Sequence, residues 1–166
     1  SYSYNPVVTL TASASTGSTF EGWSGDADCT DGQVTMTADK TCTATFTLNT
    51  YTLTIATAGT GSGVVTPTVG PHSYSYNTVV TLTASASTGS TFAGWSGDAD
   101  CTDGQVTMNA DKTCTATFTL NRYTLSVSKS GTGSGTVTSV PAGISCGVTC
   151  TADYDYNTVV TLTASA

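Results

Sequence analysis

Residues 22–36 read GWSGDADCTDGQVTM, and the same fifteen residues return unchanged at 94–108. Each copy gathers a tryptophan, a cysteine and three aspartates, residue types that stack on sugars, form crosslinks or hold cations. Asp26, Asp28 and Asp31, repeated as Asp98, Asp100 and Asp103, follow the spacing D-x-D-x-x-D-G. Alternating carboxylates before a glycine can wrap a hard cation in oxygen ligands, and calcium is the ion that suits an extracellular protein. The spacing departs from that of an EF-hand, which needs D-x-D-x-D-G and a glutamate six residues beyond the glycine. The competing reading is a solvated acidic turn whose aspartates bond their own backbone. Trp23 and Trp95 could stack on sugar rings, but one tryptophan per repeat, beside Phe20 or Phe92 and close to a cysteine, reads better as a core residue.

The six cysteines fall into three local pairs, Cys29/Cys42, Cys101/Cys114 and Cys146/Cys150. An even count at repeating spacing predicts disulfides and an oxidising, extracellular or cell-surface location. Structural zinc lacks ligands: each repeat offers two cysteines, and the one histidine is His72. His72 has no counterpart in the other copies and no repeating Ser/Asp partner, so it reads as a loop histidine and not as part of a nucleophilic triad. No catalytic constellation is present, and the chain is read as a non-enzyme without a resident cofactor.

Such side chains need elements to hold them, and composition says which kind. The 166 residues include 17 Gly and only 9% charged residues, with a large share of Thr and Ser, which points to an all-β protein. The net charge is −7, and Lys40, Lys112, Lys129 and Arg122 are the only Lys and Arg. That is too little positive charge for a nucleic-acid or anionic-membrane surface. No stretch of ~18 apolar residues suggests a membrane span. The opening SYSYNPVV lacks the regions of a signal peptide, so any export signal is expected outside these residues.

The chain repeats. Residues 1–50 and 73–122 align without a gap and differ only at Pro6/Thr78, Glu21/Ala93, Thr37/Asn109 and Thr50/Arg122. The organisation expected is the C-terminal part of a repeat over 1–50, a complete repeat over 51–122, and the N-terminal part of another over 123–166. The third copy carries eight extra residues within VPAGISCGVTC. YTLTIAT, VVTLTASAS and KTCTATFTL alternate apolar residues with Thr or Ser and read as strands with Thr outward. In the last of these, Cys42, Ala44, Phe46 and Leu48 share a face and read as core, which supports a buried bridge. TADK and TAGTGSG read as hairpin turns. The expected core is Val80, Leu82, Phe92, Trp95, Val106, Met108, Phe118 and Leu120 with Tyr51, Leu53 and Ile55, and Phe20, Trp23 and Phe46 play the same parts in the first copy. A unit of ~70 residues cannot gather a large core and commonly needs a staple; a fourteen-residue disulfide loop contributes about 3 kcal/mol. Tyr2, Tyr4, Tyr74, Tyr76, Tyr154 and Tyr156 recur as Y-x-Y before the VVTLTA strand and are candidates to touch a neighbouring repeat. The outward rows of Thr43, Thr45 and Thr47 reflect strand propensity on a wet face better than an ice-binding array.

The phrases GSTFxGWSGD and VTMxADKxCTATF, with YTLSVSKSGTGSGTVTS, GISCGVTC and VVTLTA, resemble the divergent internalin B-type bacterial repeat over essentially the whole chain. The resemblance implies a compact β-grasp-like unit of small, mostly antiparallel sheets in a tandem array, found in exported bacterial proteins as stalk or adhesion segments. It implies no catalytic residues. The first linker, TPTVGPHSYSYN, lacks the cysteine pair that the third copy holds at Cys146 and Cys150.

The function expected is therefore a non-enzymatic structural repeat of a bacterial extracellular filament, stalk or adhesin, with neighbouring repeats or identical chains along a fibre as partners. The alternative is a glycan- or calcium-binding module of a secreted or surface protein. Residues 154–166 match 2–14, which suits either a window on a longer array or chains that complete each other's broken repeat by strand addition.

Overall fold

Period-two alternation of apolar residues with Thr and Ser places every second side chain on one face, and strands form along nearly the whole chain. The computed structural model describes residues 6–166. The first repeat contains β1 (Val7–Thr9), β2 (Ser18–Gly25), β3 (Gln33–Thr35) and β4 (Cys42–Leu48). The complete repeat runs through β5 (Thr50–Ala58), β6 (Gly63–Thr66), β7 (Gly70–Ser75), β8 (Val79–Thr81), β9 (Thr83–Ala86), β10 (Ser90–Gly97), β11 (Gln105–Thr107) and β12 (Lys112–Leu120). The third contains β13 (Arg122–Ser126), β14 (Thr136–Val140), β15 (Thr151–Asp155) and β16 (Thr161–Ser165). Single 3-10 turns at Ala27–Cys29 and Ala99–Cys101 are the only helical segments among the described residues.

In the complete repeat, four strands join in the order β10-β12-β5-β7, and two short ladders, β6–β9 and β8–β11, lie outside that sheet. Every ladder is antiparallel except the central one, where β12 runs parallel to β5 with Lys112 opposite Leu53 and Cys114 opposite Ile55. This mixed sheet matches the β-grasp-like expectation. Neither expected hairpin exists. β6 pairs with β9 and not with β5, because the glycine-rich connection folds onto the closing strand, where the Gly61 amide donates to the Phe118 carbonyl at 3.0 Å. β11 pairs with β8, while the NADK segment carries the chain to the side of β5, and Asp111 Oδ1 accepts from the Thr52 amide at 2.7 Å. TADK in the first repeat likewise separates β3, paired with β1, from β4, paired with β2.

The core lies in the complete repeat. Leu53, Ile55, Val65, Val80, Leu82, Val106, Met108, Ala116 and Phe118 are buried around Cys101 and Cys114. Tyr51, Tyr74, Phe92 and Trp95 pack against this cluster half-buried, and Leu120 is only partly covered. Phe92 and Trp95 are three residues apart, which on a regular strand would send them to opposite faces. A bulge between Phe92 and Gly94 resets the register, so that Phe92 faces Phe118 and Trp95 faces Ala116. Gly94 takes a φ of +135° there, a conformation glycine adopts without steric cost. The rings of Phe92 and Trp95 then meet edge to face at 6.0 Å, as those of Phe20 and Trp23 do at 5.7 Å.

The outer repeats carry the same ladders without the cover. Phe118 is 1% exposed, but Phe46, expected in the core, is 46% exposed, and Leu48 is bared with it. Residues 6–50 hold no counterpart of β5, so β4 has β2 on one side and no strand on the other. Phe118→Ala should therefore cost about 3–5 kcal/mol by core truncation, while Phe46→Ala costs less than about 1 kcal/mol. Urea unfolding of the two variants in dilute solution measures the contrast, and equal losses would contradict this account of the core.

Candidate functional site

The Trp-Cys-Asp loop leaves β2 at Gly25, makes one 3-10 turn and enters β3. Asp26 Oδ2 accepts from the Thr41 amide at 2.7 Å, and Asp31 Oδ1 accepts from the Gln33 amide at 2.9 Å. Asp28 accepts from the Thr35 amide at 3.3 Å and pairs with Lys40 Nζ at 3.1 Å. The second copy repeats each bond: Asp98 with Thr113, Asp103 with Gln105, and Asp100 with Thr107 and Lys112. Each carboxylate thus serves a different stretch of backbone. No group of three or more His, Cys, Asp or Glu among the described residues is placed to hold a metal ion.

Disulfides join Cys29 to Cys42, Cys101 to Cys114 and Cys146 to Cys150. The first two tie the loop to the strand that follows it, so loop, bridge and Asp–Thr bonds form one staple. The third fastens the eight-residue insertion, where the buried Ser139 Oγ accepts from the Ile144 amide at 2.9 Å and bonds the Tyr154 hydroxyl at 2.7 Å. His72 stands on β7 and not in a loop: the linker pairs with β5, setting His72 opposite Leu53 with its Nε2 2.6 Å from the Thr68 carbonyl. It has no nucleophile partner.

A second repeated constellation joins one repeat to the next. Asn49 is the single residue between β4 and β5. Its amide donates to the Gly17 carbonyl at 2.8 Å, its side chain accepts from Thr19 Oγ1 at 2.7 Å, and its carbonyl accepts from the Tyr76 amide at 2.7 Å. Asn121 does the same between Gly89, Thr91 and Tyr156, at 2.8, 2.6 and 2.8 Å. A Cβ on Gly17 would lie 2.0 Å from the Tyr76 ring, and one on Gly89 would lie 2.0 Å from that of Tyr156. Both glycines have φ near +78°, so side chains are excluded twice over. The next residues, Asn77 and Asn157, take φ of 64° and 66°, a left-handed conformation that asparagine tolerates. The expectation that tyrosines of the Y-x-Y motif touch a neighbouring repeat thus finds Tyr76 and Tyr156 there, with Tyr74 against the core instead; Tyr2 and Tyr4 lie outside the described residues. Sequence reasoning missed Gly17, Gly89, Asn49 and Asn121. The available signal was a lone polar residue between two strands at the same place in both copies.

The ion pairs in the loops set a pH response. The hydrogen bond from Lys40 holds the Asp28 carboxyl below its ordinary value. For Asp100, burial pushes the pKa up, but bonds from Lys112 and the Thr107 amide outweigh it and the net shift is downward. A carboxyl that binds its proton less readily when folded contributes stability that is complete above the ordinary carboxylate range. That contribution is lost as pH falls through this range towards the depressed value. Thermal unfolding from pH 7 to pH 2 should therefore show a flat neutral region and a fall below about pH 4, and Lys112→Met should flatten the fall. A profile identical to the parent's would remove these pairs from the account.

No helix among the described residues is long and apolar enough to cross a membrane. Comparison with curated proteins finds no match, and comparison with solved structures finds none either. The model of the divergent InlB B-repeat domain matches twice, over residues 1–50 and over 51–122. The stapled Trp loop and the strand that follows it lie within both matches, and the resemblance first seen in GSTFxGWSGD and VTMxADKxCTATF rests on the same residues. The chain belongs to the divergent InlB B-repeat family, a family of surface repeat modules and not a known class of enzymes.

Proposed function

We propose that this chain is a structural segment of a bacterial extracellular filament, stalk or adhesin, acting as a spacer and not as a catalyst. The observation that carries the reading is the Gly-Asn-Tyr joint, made with the same partners at Asn49 and at Asn121. A connection of one residue, bonded on both sides and covered by a tyrosine ring, leaves few rotations between neighbours. Repeats linked in this way advance in a regular string, which is what a spacer requires. The staples suit the same role: they hold small units together in an oxidising environment where no large core is available.

The rival reading, a glycan- or calcium-binding module, has less to work with. The aspartates are spent on local amides, and each tryptophan is half-buried against a phenylalanine. A repeat of ~72 residues has a radius of gyration near 11 Å and a diameter of roughly 30 Å. Small-angle scattering of the chain should give an elongated particle advancing by about that length per repeat. Tyr156→Ala should leave each repeat's melting unchanged while loosening the string, seen as a more flexible scattering profile. A compact particle, or specific sugar binding on a glycan array, would overturn the spacer reading.

A further inference from the structure

The outer repeats divide the ladders of the complete repeat between them. Residues 6–50 form β1–β3 and β2–β4, the counterparts of β8–β11 and β10–β12. Residues 123–166 form β13–β15 and β14–β16, the counterparts of β5–β7 and β6–β9. All four antiparallel ladders are therefore present, and the missing one is the parallel ladder, β5–β12, that joins the halves into one body. The VVTLTASA segment is shared in the same manner. In the complete repeat its first part pairs with β11 and its second with β6; the first repeat uses only the former part, and the third only the latter.

The surfaces left open are complementary. In the complete repeat the glycine-rich loop closes on Phe118: a Cβ on Gly59 would lie 2.0 Å from its carbonyl oxygen, one on Gly63 2.2 Å from its ring, and one on Gly61 2.6 Å from Thr119. The counterparts Gly131 and Gly133 have nothing within 4 Å of a Cβ, so their surroundings give no reason for glycine. The loop instead borders a cavity of about 760 Å³ between Ser128–Thr136 and Ala164–Ala166. With Phe118 in place, about 180 Å³ remains at the equivalent loop. The counterpart of Phe118 is Phe46, which stands 46% exposed.

The polar half of the joint is retained as well. The complete repeat closes with Gly61 N to Phe118 O, Leu120 N to Thr60 Oγ1, Thr52 N to Asp111 Oδ1 and Ser62 N to Ser90 Oγ. The same residue types stand ready as Gly133 with Phe46, Leu48 with Thr132, Thr124 with Asp39, and Ser134 with Ser18.

We infer that the slot beside β13 and the glycine-rich loop of one chain receives β4 of a second copy of this chain. The two halves then form a composite repeat by parallel strand addition. The register follows from the complete repeat: Lys40 opposite Leu125, Cys42 opposite Val127 and Thr45 opposite Ser130, with Phe46 in the cavity over Gly131 and Gly133. Each chain has a donor strand at one end of the array and an acceptor slot at the other, so addition is head to tail and propagates into a filament. This deepens the spacer reading and rests on it, adding non-covalent assembly to a string of covalently joined repeats.

Sedimentation velocity and native mass spectrometry of the 166-residue chain with its disulfides intact test this directly. The parent should form concentration-dependent head-to-tail oligomers. Phe46→Asp spoils the donor and Gly133→Leu blocks the acceptor, so each variant alone should associate more than tenfold more weakly. Mixed one to one, the intact acceptor of the first and the intact donor of the second should form a dimer and nothing longer. The pair Leu48→Asp and Thr132→Trp repeats the test if either first variant fails to fold. A monomeric parent at high concentration, variants that associate like the parent, or a mixture without the heterodimer would overturn strand addition. A monomeric parent that scatters as an elongated rod would leave the spacer reading standing, and a compact one would remove both.

Discussion

The parallel ladder between β5 and β12 decides whether a stretch of this chain has a core. β12 brings Cys114, Ala116 and Phe118 to one face, and β5 brings Leu53 and Ile55 beside them; each set is buried only because the other is adjacent. Antiparallel ladders between strands near in sequence form in all three repeats. They organise the backbone but do not by themselves exclude water from the apolar face, as the exposure of Phe46 and Leu48 makes plain. The ladder that seals the unit joins strands about sixty residues apart, so its loop-closure entropy must be met by the burial that follows.

Around that ladder the repeat uses small devices in place of a large core. The bulge at Ala93 turns Phe92 and Trp95 towards the same side. The disulfide fixes the Trp loop to the start of β12, and the Asp–Thr bonds hold the same two segments together. Glu21 and Ala93 differ without consequence for this geometry because the bulge residue faces solvent. The acidic loop, chemically the most suggestive part of the chain, is thus explained by the demands of folding a unit of ~70 residues.

The joints between repeats follow a similar economy. One asparagine, one glycine and one tyrosine make each junction, and none of them belongs to the central cluster. Packing within a repeat and alignment between repeats are therefore carried by different residues. Stability comes from nearest neighbours, as in other linear arrays, and an incomplete unit exposes the strand edge that its neighbour in a continuous array would cover.

Much of this was legible in the residues themselves. The repeat, the strand-rich class, the local cysteine pairs and most of the core follow from period and spacing, since these are properties of neighbours along the chain. Val65 was missed, and the two hairpins were placed wrongly, because a short glycine-rich or polar connection looks the same whether the next strand turns back or crosses to another partner. Phe46 and Phe118 sit in identical local sequences, CTATFTL in both, yet one is exposed and the other buried. No local pattern can separate them. The difference lies in a strand distant in sequence, present beside β12 and absent beside β4, and burial is a property of that pairing and not of the residue.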